Sequence, residues 1–307
     1  MIDQPIVIRT HGLTKRFKKL TAVDDLNMQV RRGEVFGFLG PNGAGKTTAI
    51  ALLLGLLRPT AGTAEVMGHD IRRQPAHALR RVGALVDAAF YPYLSAQDNL
   101  WVMAQMSGGG VSRRRIDEML ELVGLANRAG DKFRTFSPGM KQRLGLAAAL
   151  VHDPEVLILD EPTHGLAPAG MLQIRDLIRH LSREQGKTVF LSSHLLHEVE
   201  QVCDRVLILD RGKTIAAGRV EEILQQGSRI EIRVNRPERA QEALRELDWV
   251  DGVSLCDEVL YVAAPPERAA DLTAALAAQE IYPHGIRISE RSLESFFLDV
   301  TAGGPDA

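Results

Sequence analysis

The sequence holds few of the features that mark disulfide-bonded, zinc-binding or membrane-spanning chains. It has only two cysteines, Cys203 and Cys256, and this pair shows neither metal-ligand spacing nor a disulfide framework. The longest strongly apolar run, Ala49 to Leu57, is far short of the roughly twenty residues that cross a bilayer. Residues 1–5 lack the basic and apolar segments of a signal peptide. We therefore expect a chain of a reducing compartment that does not cross a membrane by itself.

A strong charge of one sign is also missing. The net charge is −2. Residues 1–228 carry 29 Lys and Arg against 24 Asp and Glu, whereas 229–307 carry 8 against 15. Neither portion has the strongly basic surface of a duplex-binding protein, so we expect no nucleic-acid partner. The length of 307 residues suits one large domain and a small one.

The segment Gly40–Thr47 matches the phosphate-loop pattern GxxxxGK[ST] at every fixed position. An apolar strand is predicted before it, over 35–39, and a helix after it, over 48–57. In such a loop, backbone N–H groups turn toward the phosphates. Lys46 reaches the β- and γ-phosphates, and the Thr47 hydroxyl ligates Mg²⁺. We predict a nucleoside triphosphate site that includes Gly40, Pro41, Asn42, Gly43, Ala44, Gly45, Lys46, Thr47 and Thr48.

Two acidic residues follow a second predicted strand. The apolar run 156–159 is typical of a strand buried in a parallel sheet, and ligands of such sheets lie beyond the carboxyl ends of the strands. Asp160 therefore suits the Mg²⁺ side, and Glu161 suits a general base for an attacking water. His194 follows a further strand over 188–191. A lone histidine is more often structural, but this position favours contact with the γ-phosphate.

Two other positions allow two interpretations each. Phe17 stacks on adenine, with Val23 against the sugar, or it caps a small sheet; the spacing does not decide between these. Ser137 is an ordinary helix N-cap before Pro138. Alternatively, Ser137 and the N–H groups near Gly139 form a second anion site.

The remaining pattern predicts two domains. The first, 5–227, has short strands near 6–8, 26–30, 63–67 and 82–86, a helical insertion over about 90–150, and a closing hairpin over 206–217. The second, 228–302, has the element order βαββαβ and resembles a small ferredoxin-like layer. We therefore expect an α/β fold with a parallel core sheet and a small C-terminal α+β domain.

The order of these motifs resembles the nucleotide-binding subunit of an ABC transporter over roughly residues 5–225. The segment Ser137–Arg143, between the helical insertion and the acidic strand, narrows the choice, although its form is a variant of the usual LSGGQ. Together with the acidic C-terminal unit that ends in Leu293–Leu298, it looks most like ATPases of bacterial exporters of antibiotics, bacteriocins and similar compounds. The implied fold is a P-loop NTPase of ABC type with an antiparallel β subdomain.

The resemblance implies a role for each matching residue. Phe17 stacks on adenine, Thr47 and Asp160 support Mg²⁺, Glu161 activates water and His194 senses the γ-phosphate. Ser137 and Gly139 close over ATP held by a second copy or a paralogous ATPase, in a head-to-tail dimer. The dimer acts on a separate membrane permease, at the cytoplasmic face of a bacterial plasma membrane. The permease contact is expected near Asp87 and the aromatic segment Phe90–Tyr93.

Two positions depart from the family pattern, and two rival functions stay open. Asp87 stands where the family usually has Gln and is predicted to be a further Mg²⁺ ligand. Ala167 replaces the usual Asp of the loop after the acidic strand. The rivals are a soluble ABC-type ATPase acting on ribosomes or nucleic acid, and a regulatory protein that scarcely hydrolyses ATP. The single cassette disfavours the first rival, while Glu161 and His194 disfavour the second.

Overall fold

The computed structural model describes residues 4–86, 89–225, 229–256, 258–289 and 292–302. By its internal contacts the chain divides into two units, Met1–Gly218 and Arg219–Ala307. Each unit has a hydrophobic core of its own. The boundary drawn from the sequence, between residues 227 and 228, stays a prediction.

The first unit alternates strands and helices. In chain order its elements are β1 (Ile6–Phe17), β2 (Leu20–Arg31), β3 (Val35–Leu39), α1 (Lys46–Leu53), β4 (Ala61–Val66), β5 (His69–Asp70), α2 (Pro75–Leu79), β6 (Val82–Leu85), α3 (Ala96–Met106), α4 (Arg113–Leu122), α5 (Pro138–Leu150), β7 (Val156–Leu159), α6 (Pro168–Arg183), β8 (Thr188–Ser193), α7 (Leu196–Val202), β9 (Arg205–Asp210) and β10 (Lys213–Arg219).

The central sheet of this unit has the strand order β10-β9-β3-β8-β7-β6, and the strands from β9 to β6 pair in parallel. Every residue of β3, β7 and β8 is buried, which is the environment that continuous apolar strands predict. The register pairs Leu39 with Ser193 and Leu159 with Leu191. Strands β3, β7 and β8 therefore end at one edge of the sheet, where Gly40, Asp160 and His194 follow them.

A second sheet, of order β2-β1-β4-β5, is antiparallel. Helices α3 to α5 follow β6 and lie within the predicted helical insertion. The predicted fold class, a parallel core sheet with an antiparallel β subdomain and a helical insertion, is confirmed.

Several helices differ from the prediction, and α1 and α6 are the clearest cases. The helix predicted over 48–57 begins at Lys46 and ends at Leu53, because Gly55 adopts a left-handed conformation (φ 68°) that breaks it before Pro59. Helix α6 was not predicted at all. It carries Pro168 in its first turn and buries Ile174, Ile178 and Leu181, the spacing of an amphipathic helix.

The second unit contains α8 (Val220–Gln225), β11 (Arg229–Val234), α9 (Pro237–Arg245), β12 (Gly252–Cys256), β13 (Val259–Ala263), α10 (Ala269–Ala278), β14 (Pro283–Ser289) and α11 (Leu293–Ala302). Its antiparallel sheet has the order β12-β13-β11-β14. Leu244 of α9 and Leu272 of α10 belong to its core. From β11 to β14 the order is βαββαβ, as in a ferredoxin-like layer.

Candidate functional site

The backbone of the phosphate loop takes a course that side chains would block. Gly40 and Gly45 have φ of 156° and 108°. A Cβ at Gly40 would lie 2.2 Å from the carbonyl oxygen of Leu209, and one at Gly45 would lie 2.1 Å from that of Ala22. Both contacts are with backbone and cannot relax cheaply. Glycine at these two positions is therefore required for the loop to pack between β9 and the β1–β2 hairpin.

Lys46, at the start of α1, connects the loop to the acidic strand. Its side chain is 6% exposed, and its ammonium group donates to the carbonyl of Gly40 at 2.7 Å. The same nitrogen lies 3.3 Å from Oε1 of Glu161. The Lys46 ammonium group is thus held between the loop and a carboxylate, in a position to bind phosphate oxygens of a nucleotide.

Thr47 and Asp160 form an oxygen-rich pair next to this lysine. The Thr47 hydroxyl donates to Oδ2 of Asp160 at 2.9 Å. Hydroxyl and carboxylate oxygens are the ligands that Mg²⁺ prefers, and it usually takes one or two of them beside phosphate oxygens. The two side chains therefore fit a magnesium ion.

Ser192 forms hydrogen bonds with both Asp160 and Glu161. The sequence pattern does not predict this residue as part of the site. Its hydroxyl donates to Oδ1 of Asp160 and accepts the backbone N–H of Glu161 at 2.9 Å. The side chain is fully buried at the end of β8. The available signal was the pair of serines that ends an otherwise apolar strand.

Glu161 is held in a constrained conformation. Its backbone is left-handed, with φ of 47°, which costs free energy in a non-glycine residue and points to a functional constraint. Its Oε2 lies 2.7 Å from Nδ1 of His194. Gln142, on α5, donates to the Glu161 carbonyl at 3.1 Å. The imidazole of His164 lies 6.1 Å from that of His194, ring centre to ring centre.

Part of this set of groups borders a cavity of about 700 Å³. Phe17 lies on its wall and is 42% exposed, so it is available to stack on a base. Val23 is not: it is fully buried in the core, and its neighbours Thr21 and Ala22 line the cavity instead. Val23 is therefore not among the residues that line the cavity, and its expected contact with the sugar stays a prediction. The wall also includes Asn42, Gly43, Gly45, Lys46, Thr47, Thr48, Glu161, His164, His194 and Arg211.

The second predicted anion site lies apart from this cavity. Ser137 is the N-cap of α5 and accepts the Met140 N–H at 3.3 Å. Neither Ser137 nor Gly139 is among the residues that line the cavity. Gly139 lies against Leu166, whose Cδ2 is 3.0 Å from where a Cβ would stand. Asp87, the third predicted magnesium ligand, lies outside the described residues.

A phosphate loop after β3, an acidic pair after β7 and a histidine after β8 define a P-loop nucleotide-hydrolysing protein. Comparisons with known proteins identify the family. The model of the ABC transporter family matches residues 23–164. An uncharacterized ABC transporter ATP-binding protein, YhcH of Bacillus subtilis (strain 168), is 41% identical, and the match covers 96% of each chain. The bacitracin transport ATP-binding protein BcrA of Bacillus licheniformis is 38% identical, over 97% of this chain and 98% of BcrA.

A solved structure described as the ATP binding subunit of an ABC transporter superposes with a TM-score of 0.65 and 28% identity, over 72% of this chain and 92% of its own. The chain belongs to the ATP-binding subunits of ABC transporters, and it is an ATPase. Among the residues described here, no helix has the length and apolar character needed to cross a membrane.

Proposed function

We propose that this chain hydrolyses ATP in a head-to-tail dimer that drives a separate permease of a bacterial exporter. The observation that carries the proposal is the contact of Glu161 with both Lys46 and His194, at 3.3 and 2.7 Å. Lys46, Glu161 and His194 therefore lie together on the wall of the 700 Å³ cavity.

In the proposed reaction, Glu161 accepts the proton of the attacking water, and His194 orients the Glu161 carboxylate and contacts the γ-phosphate. Lys46 and the loop amides hold the phosphates. Thr47 and Asp160 would hold Mg²⁺, which would supply positive charge to neutralise the phosphates. Phe17 stacks on the base. Asp87 is kept as a proposed further magnesium ligand.

The proposed dimer accounts for the position of Ser137 and Gly139. They lie at the N-terminus of α5, where N–H groups and the helix dipole favour an anion, yet they do not line the chain's own cavity. Ser137 is exposed and free to meet a nucleotide held by another subunit. That subunit is a second copy or a paralogous ATPase.

One pair of variants tests the hydrolytic roles together with the dimer. Glu161→Gln keeps the size of the side chain but removes the proton acceptor, so ATP hydrolysis should slow by about 10²–10⁴-fold. ATP should still bind, and sizing should show a dimer that forms only with Mg-ATP. Lys46→Ala should bind ATP poorly and stay monomeric under the same conditions. A Glu161→Gln variant with wild-type turnover and no ATP-dependent dimer would contradict both proposals.

The proposed contact with the permease is an aromatic segment at the start of the helical insertion. Tyr91 and Tyr93 are 53% and 75% exposed. Asn99, fully buried on α3, accepts the Tyr91 N–H at 2.8 Å and donates to the Tyr91 carbonyl at 3.1 Å. The segment is therefore preorganised, and large exposed aromatic side chains on a fixed backbone are typical of interface anchors.

Membrane fractionation in the native cell tests this contact. The wild-type chain should sediment with membranes and be released by conditions that strip peripheral proteins. Tyr91→Ala with Tyr93→Ala should move the chain to the supernatant. Tyr282→Ala serves as the control, because Tyr282 is 67% exposed in the second unit. If the double variant sediments like wild type, the aromatic segment is not the docking site.

The class of exported compound is proposed from the relatives. BcrA is named for bacitracin transport, which supports an antibiotic or peptide substrate for the permease that this chain serves. Deleting the chain should sensitise the cell to such a compound, and Glu161→Gln should fail to restore resistance. Unchanged susceptibility across peptide antibiotics would remove this part of the proposal.

A further inference from the structure

Helices α6 and α7 follow the two proposed catalytic residues. The loop after Glu161 leads into α6, and α7 begins two residues after His194. Where the two helices pack, Arg175 of α6 is 8% exposed. Its Nη1 lies 3.6 Å from Oε1 of Glu198 and donates to Oε1 of Gln201, both on α7.

This ion pair lies directly behind the catalytic residues. Together with Glu198, Arg175 borders a small cavity of about 10 Å³. The same cavity is lined by Pro162 and Thr163, which follow Glu161, and by Ser193, which precedes His194. Because α7 begins two residues after His194, a shift of α7 relative to α6 would displace His194.

The stability of the fold gives little reason for an ion pair here. Nε of Arg175 and Oε2 of Glu198 are both buried and have no hydrogen-bond partner among the described residues. An incompletely bonded buried pair recovers little of its desolvation cost, and its replacement by two apolar side chains is often neutral or stabilising. The ion pair does fix orientation, since the planar guanidinium of Arg175 sets the geometry of the groups that it contacts.

A second arginine fixes the same turn of α7. Arg179, one turn further along α6, donates to the backbone carbonyl of Gln201. The side chain of Gln201 in turn lies 2.9 Å from Nε2 of His197. Helix α7 has only seven residues, and so short a helix depends on such tertiary contacts for its position.

We infer that Arg175 is a positioning residue for ATP hydrolysis. By binding Glu198 and Gln201 it holds α7 against α6, so that His194 keeps its 2.7 Å contact with Glu161. The inference rests on the proposed catalytic roles of Glu161 and His194.

The test separates positioning from folding. Arg175→Met should lower kcat by about 10- to 100-fold, the effect of a misplacement on the order of 1 Å. KM for ATP should change little, because the phosphate loop is not touched. The double variant Arg175→Met, Glu198→Met removes the buried unpaired charge, so its unfolding midpoint in denaturant should recover while kcat stays low. Arg183→Met, an exposed arginine on the same helix, should match wild type. Recovery of kcat together with stability in the double variant would overturn the inference.

A coupling measurement gives the second criterion. In a His194→Ala background, Arg175→Met should cause no further loss of kcat, since it acts through His194. Independent, multiplying losses would overturn the inference. If His194→Ala and Glu161→Gln alone keep wild-type turnover, the proposed function itself fails. If they lose turnover while Arg175→Met does not, only the positioning role of Arg175 fails.

Discussion

Replacement of Ser192 by alanine should slow ATP hydrolysis without disturbing nucleotide binding. The Ser192 hydroxyl donates to Asp160 and accepts the backbone N–H of Glu161. Because the side chain is fully buried, bulk water has no access to replace the hydroxyl. Asp160 loses a donor, and the Glu161 N–H loses its partner at a residue whose backbone is already left-handed.

The size of the effect follows from these two bonds. A hydrogen bond to a charged group contributes about 1.5–3 kcal/mol and a neutral one about 1 kcal/mol, so the free energy of unfolding should fall by roughly 2–4 kcal/mol. If the bond to the Asp160 carboxylate is fully expressed in the transition state, kcat should fall by about 10- to 150-fold. KM for ATP should stay close to wild type, because in the proposed binding mode Lys46 and the loop amides hold the phosphates.

Ser193 provides the matched control. It is also buried on β8, and its hydroxyl accepts the Leu195 N–H at 2.9 Å, but its hydroxyl bonds to neither acid. Phosphate release with Mg-ATP and denaturant unfolding should be measured for both alanine variants of the full chain. Both should lose stability, and Ser192→Ala should lose far more turnover. A Ser192→Ala variant with wild-type kcat, or equal losses of kcat in both variants, would refute the reasoning.

Three further predictions concern other parts of the first unit. Gly45→Ala should abolish ATP binding, measured by equilibrium titration, because the new Cβ would lie 2.1 Å from a backbone oxygen. Gly43→Ala is the control: its Cβ would have no atom within 4 Å, so this variant should retain ATP binding at a stability cost of about 1 kcal/mol. Phe17→Ala should weaken ATP binding but leave the binding of inorganic triphosphate unchanged, since the proposed role of Phe17 is to stack on the base. The hydrogen bond from Lys187 lowers the pKa of the Asp153 carboxyl. This bond therefore stabilises the folded protein above the pKa that Asp153 has in the unfolded chain, and the stabilisation is lost as the pH falls through the pKa of Asp153 in the folded protein. Asp153→Asn should therefore lower the free energy of unfolding at neutral pH, by less than about 1 kcal/mol because the carboxylate is largely exposed. In strong acid the same substitution should have no effect on the free energy of unfolding. An equal effect at both pH values would contradict the assignment.

Two strands of the parallel sheet and their ends could be predicted from the sequence because the local pattern is decisive there. The run at 35–39 and the run at 156–159 are apolar at every position, and both form strands with those bounds. Residues that follow such strands in a parallel sheet must meet at one edge. This rule places Asp160, Glu161 and His194 at the site, and the phosphate-loop pattern places Lys46 there.

The residues that orient this site could not be predicted, because their roles depend on packing between distant segments. Ser192 looks like an ordinary end of a strand until β7 and β8 are paired in register. Arg175 is one of many charged residues in the sequence, and only the fold buries it. The burial of Val23 is likewise set by the fold, and the local sequence does not show that its neighbours Thr21 and Ala22 line the cavity instead.

The precision of the site therefore comes from the register of the sheet rather than from its loops. β8 lies between β3 and β7 in the sheet, and the residues that follow these three strands supply the phosphate loop, the acids and the histidine. A slip of one residue in β8 would turn Ser192 away from Asp160 and direct its neighbours to the opposite face. Phe190, which stacks on Phe36 of β3 at 5.9 Å and is fully buried, helps to fix that register through the apolar core. Large changes at Phe190 should consequently affect turnover as well as stability, although Phe190 lies four residues before His194 in the sequence.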